Sequence, residues 1–202
     1  MKSLKLIVLG TFAALVLSGC SLKFEGNYKP EYVSKDVSNT LAKVDRKIEV
    51  KRHVKSIISK KPRTFRGSAF SIVMQSSQIT DNISKIFMEQ YFSDVSFKDG
   101  SRSSSTAFLE LDAVVLDYAW NLNTFTDGVQ MDIKMKVDVK KDGTLLLSKV
   151  YEKDVGNDNV ASFSWLKGEL TLHPQAVETF HKGVFNILNE DVKEDLIKAL
   201  KK

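Results

Sequence analysis

Cysteine is nearly absent from this chain, with one residue, Cys20, in 202. A single thiol excludes an intramolecular disulfide framework and a cysteine-built metal site. Proline and glycine are scarce, at three and ten residues, which argues against a low-complexity or unstructured protein. Histidine occurs three times, as His53, His173 and His181. The last two are two helical turns apart, which is not the i, i+4 spacing that binds zinc on a helix. No G-x-S-x-G, P-loop or dinucleotide fingerprint occurs. "DGSRSSST", residues 99–106, has the composition of a phosphate loop without its spacing. These absences leave no basis for a catalytic triad, a metal or a cofactor, and the expectation is a protein without any of them. Each histidine reads as a surface or capping residue.

What is present begins at the N-terminus. "MKSLK" places Lys2 and Lys5 ahead of Leu6–Leu17, twelve uncharged residues, followed by Ser18, Gly19 and Cys20. Twelve is too short for a membrane-spanning helix, which takes about 20 apolar residues. A basic start, an apolar middle and small residues at the end match a secretory signal. "LSGC" resembles the bacterial lipobox. That resemblance implies cleavage before Cys20 and acylation of its thiol and new amine, chemistry suited to a nucleophilic thiolate. Each buried lipid methylene adds about 0.8 kcal/mol of membrane affinity, so several chains anchor a protein firmly. Ser21, where an Asp would imply retention in the inner membrane, implies the periplasmic face of the outer membrane.

Residues 1–19 are therefore read as a signal peptide, 20–45 as a lipidated tether and 46–202 as an α+β periplasmic domain. Without Lys2 and Lys5, 28 basic side chains face 25 acidic ones. The charges are interspersed, which does not suit a nucleic-acid partner. A hydrophobic content of 43% is ample for a core.

The chain alternates as strand over Lys47–Ile57, breaks at Pro62, and is rich in strand formers over Phe65–Gln75. Ile79, Ile83, Ile86, Phe87 and Tyr91 fall at helical spacing. In the middle, Met131, Ile133, Met135, Val137 and Val139 alternate with Asp132, Lys134, Lys136, Asp138 and Lys140. That pattern predicts an antiparallel sheet with one wet face, and Asp142-Gly143 predicts its hairpin. A second helix is expected to start with Pro174 in its first turn and to bury Val177, Phe180, Val184, Ile187 and Leu188. A separate terminal helix carries Val192, Leu196, Ile197 and Leu200. The fold class expected is α+β, a two-layer sandwich with two main helices packed on one face of a mostly antiparallel sheet.

Two surfaces are candidates for binding. Phe163, Trp165 and Leu166 bring aromatic side chains into a loop, which marks either a partner surface or a core edge. Lys51, Arg52, Lys55, Arg63 and Arg66, with Lys60 and Lys61, form a basic cluster that suits anionic lipid phosphates or a solvated strand pair.

From about residue 65 the order of elements is similar to that of the YajG-like outer-membrane lipoproteins and, more distantly, the LptE-like lipoproteins of lipopolysaccharide export. It is carried by "SSQITDNISKIFMEQYF", "AFLELDAVVLDY" and "MDIKMKVDVKKDGTLLLSKVYEKD". The resemblance implies a non-enzymatic envelope lipoprotein that is held to the membrane by the lipid on Cys20 and binds an envelope protein. The alternative is a lipid or glycolipid carrier, or an accessory protein of lipopolysaccharide export. Replacing the thiol by Cys20→Ser is expected to abolish acylation and cleavage at that site. Intact-mass measurement of the membrane-extracted protein checks this, and an unchanged mass contradicts it.

Overall fold

The computed structural model describes residues 22–33, 43–63, 70–99, 107–123, 128–157 and 168–201. Strands β1 (Leu22–Gly26), β2 (Val44–Arg52), β3 (Ile58–Lys60) and β4 (Phe70–Met74) precede helix α1 (Ser76–Glu89). Then come β5 (Phe92–Asp99), β6 (Leu109–Asn123), β7 (Gly128–Lys141) and β8 (Thr144–Asn157). The chain ends in α2 (Gly168–Asn186), a π-helical turn (Ile187–Val192) and α3 (Lys193–Leu200).

The strands form two sheets, of order β1-β4-β3 and β5-β2-β6-β7-β8. The α+β class and the two layers are as the sequence pattern implies. The long antiparallel part is the β6-β7-β8 meander, whose apolar residues Met131, Ile133, Met135, Val137 and Val139 are all buried. Asp142 (φ 48°) and Gly143 (φ 78°) make the turn between β7 and β8, the two positive φ angles that a tight hairpin needs. The rest of the pairing is more parallel than expected: β1 runs parallel to β4, and β2 runs parallel to both β5 and β6. Helix α1 connects β4 of the three-stranded sheet to β5 at the edge of the five-stranded one.

Helix α1 packs on β2, β5 and β6, and α2 on β7 and β8. Ile79, Ile83, Phe87 and Met88 of α1, and Val177, Phe180 and Val184 of α2, are buried in one core. Phe180 meets Tyr118 edge-on at 5.4 Å. Gly183 lets α2 approach β7 closely, since a Cβ there would strike Ile133.

The C-terminal part departs from expectation. Pro174 lies inside α2, which begins at Gly168. The terminal helix is not separate; the π-helical turn joins it to α2 and keeps Ile187, Leu188 and Val192 on the buried stripe. Salt bridges pin this end to β8, from Lys153 to Glu190 (2.6 Å) and Asp191 (3.0 Å) and from Lys149 to Asp195 (2.8 Å).

The 20–45 stretch, read from sequence as a tether, supplies β1 and a 3-10 turn at Pro30–Tyr32. His181 holds this segment. It is fully buried, not a surface or capping residue. Its Nδ1 donates to the Val177 carbonyl (2.7 Å), and its Nε2 accepts from the Lys29 N–H (3.0 Å). Tyr28 stacks on the ring and Tyr32 meets it edge-on. Burial lowers its pKa to about 4, in keeping with an acceptor nitrogen that must stay unprotonated. Truncating the shared core by Phe180→Ala is expected to cost about 3–5 kcal/mol, read as a lower midpoint in urea unfolding.

Candidate functional site

The expected strand over Lys47–Ile57 ends at Arg52, and the reason lies in the next side chain. The His53 main-chain N–H donates to Asp81 Oδ2 (2.9 Å) instead of joining a ladder. The His53 ring sits between two carboxylates, with Nδ1 2.7 Å from Asp81 Oδ1 and Nε2 2.8 Å from Asp112 Oδ1. Lys51 closes the group with a 2.6 Å bond to Asp112 Oδ2. Asp81 comes from the second turn of α1 and Asp112 from β6, so the cluster joins three elements. Ser56 adds a link by donating its N–H to Ser77 Oγ (2.9 Å), and Ser76 Oγ donates to the Ser56 carbonyl (3.2 Å).

The electrostatics follow from this geometry. Hydrogen bonds to Asp112 and Asp81 raise the His53 pKa to about 9 against the opposing effect of burial. Burial pushes Asp112 up, but hydrogen bonds from His53 and Lys51 outweigh it and hold its pKa at about 2. At neutral pH His53 is an imidazolium with both N–H groups donated. It has no lone pair to offer as a general base. The serines beside it are tied to the chain turn and are not aimed by the imidazole. His53 is thus a half-buried clamp between α1 and β6, not the free surface histidine expected from sequence. Asp81 is buried, with a relative exposure of 5%.

Cations of the expected anionic-lipid patch are largely engaged. Arg52 lies 3.4 Å from Asp99 and stacks over Phe97 at 4.4 Å, Lys60 is 2.6 Å from Asp117, and Arg63 pairs with Asp132. Lys55 has no ion pair among the described residues. Arg66 lies outside the described residues, as do Cys20 and all three members of the candidate partner surface, Phe163, Trp165 and Leu166. No group of three or more His, Cys, Asp or Glu side chains converges to hold a metal ion among the described residues.

Two hollows lie at the chain turn 53–57. One, of about 490 Å³, lies between this turn and β6 and is lined by Lys51, Val54, Ser77, Ala113 and Val115. The other, of about 560 Å³, adjoins it and is polar, with Glu25, Asn27, Lys55, Gln78 and Asn82. His53 borders both. The first hollow exists because β2 pairs with β6 only from Ile48↔Leu109 to Val50↔Leu111. Contact resumes where Trp120 Nε1 donates to the Lys60 carbonyl (2.9 Å) and Tyr118 to the Ile72 carbonyl (2.7 Å).

No family model and no curated protein matches the chain. Among solved structures it is similar to protein XCC0632 from Xanthomonas campestris, of family DUF330, at 9% identity and TM-score 0.49, covering 90% of this chain and 98% of that one. It is also similar to the hypothetical protein CT253 from Chlamydia trachomatis, at 9% identity and TM-score 0.32, covering 70% and 98%. These likenesses are too distant to transfer a function.

The clamp has a pH signature. His53 titrates above its unfolded value near 6.5, so its stabilisation is complete below that value and is lost as pH rises through about 9. His53→Gln is expected to cost roughly 2–3 kcal/mol at pH 6, with the difference from the parent shrinking by pH 10. Urea unfolding across that range checks it; a difference independent of pH contradicts it.

Proposed function

We propose that this chain is a non-enzymatic lipoprotein, acylated at Cys20 and held at the periplasmic face of the outer membrane, where it binds an envelope protein as an assembly component. The observation that carries the reading is that β1 starts at Leu22, two residues past Cys20, and pairs with β4. Lipid on Cys20 would therefore hold the three-stranded sheet against the headgroups with almost no spacer. This is a mode of attachment that suits a fixed binding platform. The locked imidazolium of His53 agrees with it, because this cluster holds three elements together and leaves its imidazole no lone pair to act as a base. The LSGC motif and the similarity in element order to the YajG-like and LptE-like lipoproteins point the same way.

A carrier of lipid or glycolipid is the second reading, favoured by the hollow that has Val54, Ala113 and Val115 in its walls and Lys51 at its rim. The helix–sheet interface itself is filled, with Phe87, Phe180 and Ile133 all buried. Cross-linking in intact envelopes, followed by purification of the acylated chain, separates the two. Recovery of a protein that is lost on Trp165→Ala supports the platform and places the aromatic segment in the interface. Recovery of lipid or glycolipid alone contradicts it.

A further inference from the structure

Strand β6 has an unfinished edge. From Asp112 to Asp117 it pairs with β7 on one side, while on the other no strand of the described residues pairs with it. Here the His53 clamp has turned the chain away, and β3 comes alongside only near Tyr118 and Trp120. The stretch is about 20 Å long. A strand edge with buried side chains on its inner face, here Ala113 and Val115, carries main-chain N–H and C=O groups that need partners. The hollow beside it holds about 490 Å³. A strand fills about 160 Å³ per residue from its rise, its spacing and the thickness of a sheet, so the hollow takes about three residues.

We infer that this edge binds an extended segment of a partner polypeptide, which adds as a strand between β6 and the 53–57 turn. The inference rests on the platform reading above and says where and how the partner docks. The chemistry selects the occupant. A lipid chain would match the apolar walls but would cover the β6 amides and carbonyls without bonding them, which is costly. A peptide strand supplies donors and acceptors at the spacing of the edge, as in other cases of strand addition. Apolar side chains at alternate positions meet Ala113 and Val115. Val54 (92% exposed) lines the gap, and Leu116 (47% exposed) lies on the open stretch of β6.

The test uses the full chain in intact envelopes with a photo-crosslinking residue at Val54 and, in a second variant, at Leu116; both positions are exposed, so neither disturbs the core. Mass spectrometry of the adducts is expected to give one short segment of one protein from both positions. A synthetic peptide of that segment is then expected to slow amide exchange at Ala113–Leu116 by about tenfold or more, and Val54→Asp is expected to weaken this. Adducts of lipid or glycan alone, adducts that differ between the two positions, no adduct, or unchanged exchange would each overturn the strand site. A protein partner captured through Trp165 instead would overturn the strand site while leaving the platform reading in place. Loss of acylation with strand binding retained would do the reverse.

Discussion

The placement of one imidazolium organises this structure. His53 is where β2 would otherwise continue beside β6. Two carboxylates from different elements take both of its ring nitrogens, and one also takes its main-chain N–H. Once these bonds form, residues 53–57 cannot ladder with β6. The chain leaves the sheet, crosses the start of α1, and returns as β3 in a second sheet. The division into a five-stranded and a three-stranded sheet, the two hollows at the turn, and the open edge of β6 all follow from that exit. Burying a charge is tolerable only because it is paired and fully hydrogen-bonded. The low pKa of Asp112 and the high pKa of His53 are two views of the same pairing.

Strand β6 is the second organising element, because it is long enough to serve both sheets. Its first three residues pair with β2. Farther along, the small sheet is attached by side chains, with the Tyr118 hydroxyl and the Trp120 indole bonded to main-chain carbonyls of β4 and β3. These aromatic residues bury their rings in the core and keep one polar atom for the neighbouring sheet, the usual way in which such side chains are satisfied when buried. A bulge between Val115 and Asp117 lies in the unpaired stretch. It increases the local twist, so that the two ends of β6 present their edges in different directions.

Local pattern made the central part of this fold legible. The alternation of Met131–Val139 against charged residues, the Asp142-Gly143 turn and the helical spacing of Ile79, Ile83 and Phe87 each reflect burial on one face, which depends only on near neighbours in sequence. The parts that were not legible depend on distant partners. His53 meets Asp81 and Asp112, 28 and 59 residues away, and nothing near His53 announces them. His181 likewise looks like any polar helix residue until Tyr28, Lys29 and Tyr32 come to cover it. The 22–33 stretch seemed a spacer because β1 is short and its partner β4 is distant in the chain. Alternation also cannot tell a parallel pairing from an antiparallel one, which is why the parallel members β1, β2 and β5 were not foreseen. A basic cluster read from sequence counts cations but not the carboxylates folded against them, as Lys51, Lys60 and Arg63 show.

The kind of ligand such a surface accepts is decided less by how apolar its walls are than by what its polar atoms still lack. An apolar hollow lined only by side chains makes no demand for hydrogen bonds, and an acyl chain enters it at little cost. A hollow whose wall is the edge of a strand is different, because each residue brings one donor and one acceptor whether or not its side chain is apolar. Water satisfies those groups while the hollow is open. Any occupant that expels the water must replace its bonds, and the net preference for a bonded over an unbonded occupant is about 1–3 kcal/mol for each group left without a partner. Over several residues of β6 that difference exceeds what a few extra methylenes of contact contribute, at about 0.8 kcal/mol each. The edge therefore discriminates in favour of main chain, and the apolar rim sets which main chain it prefers.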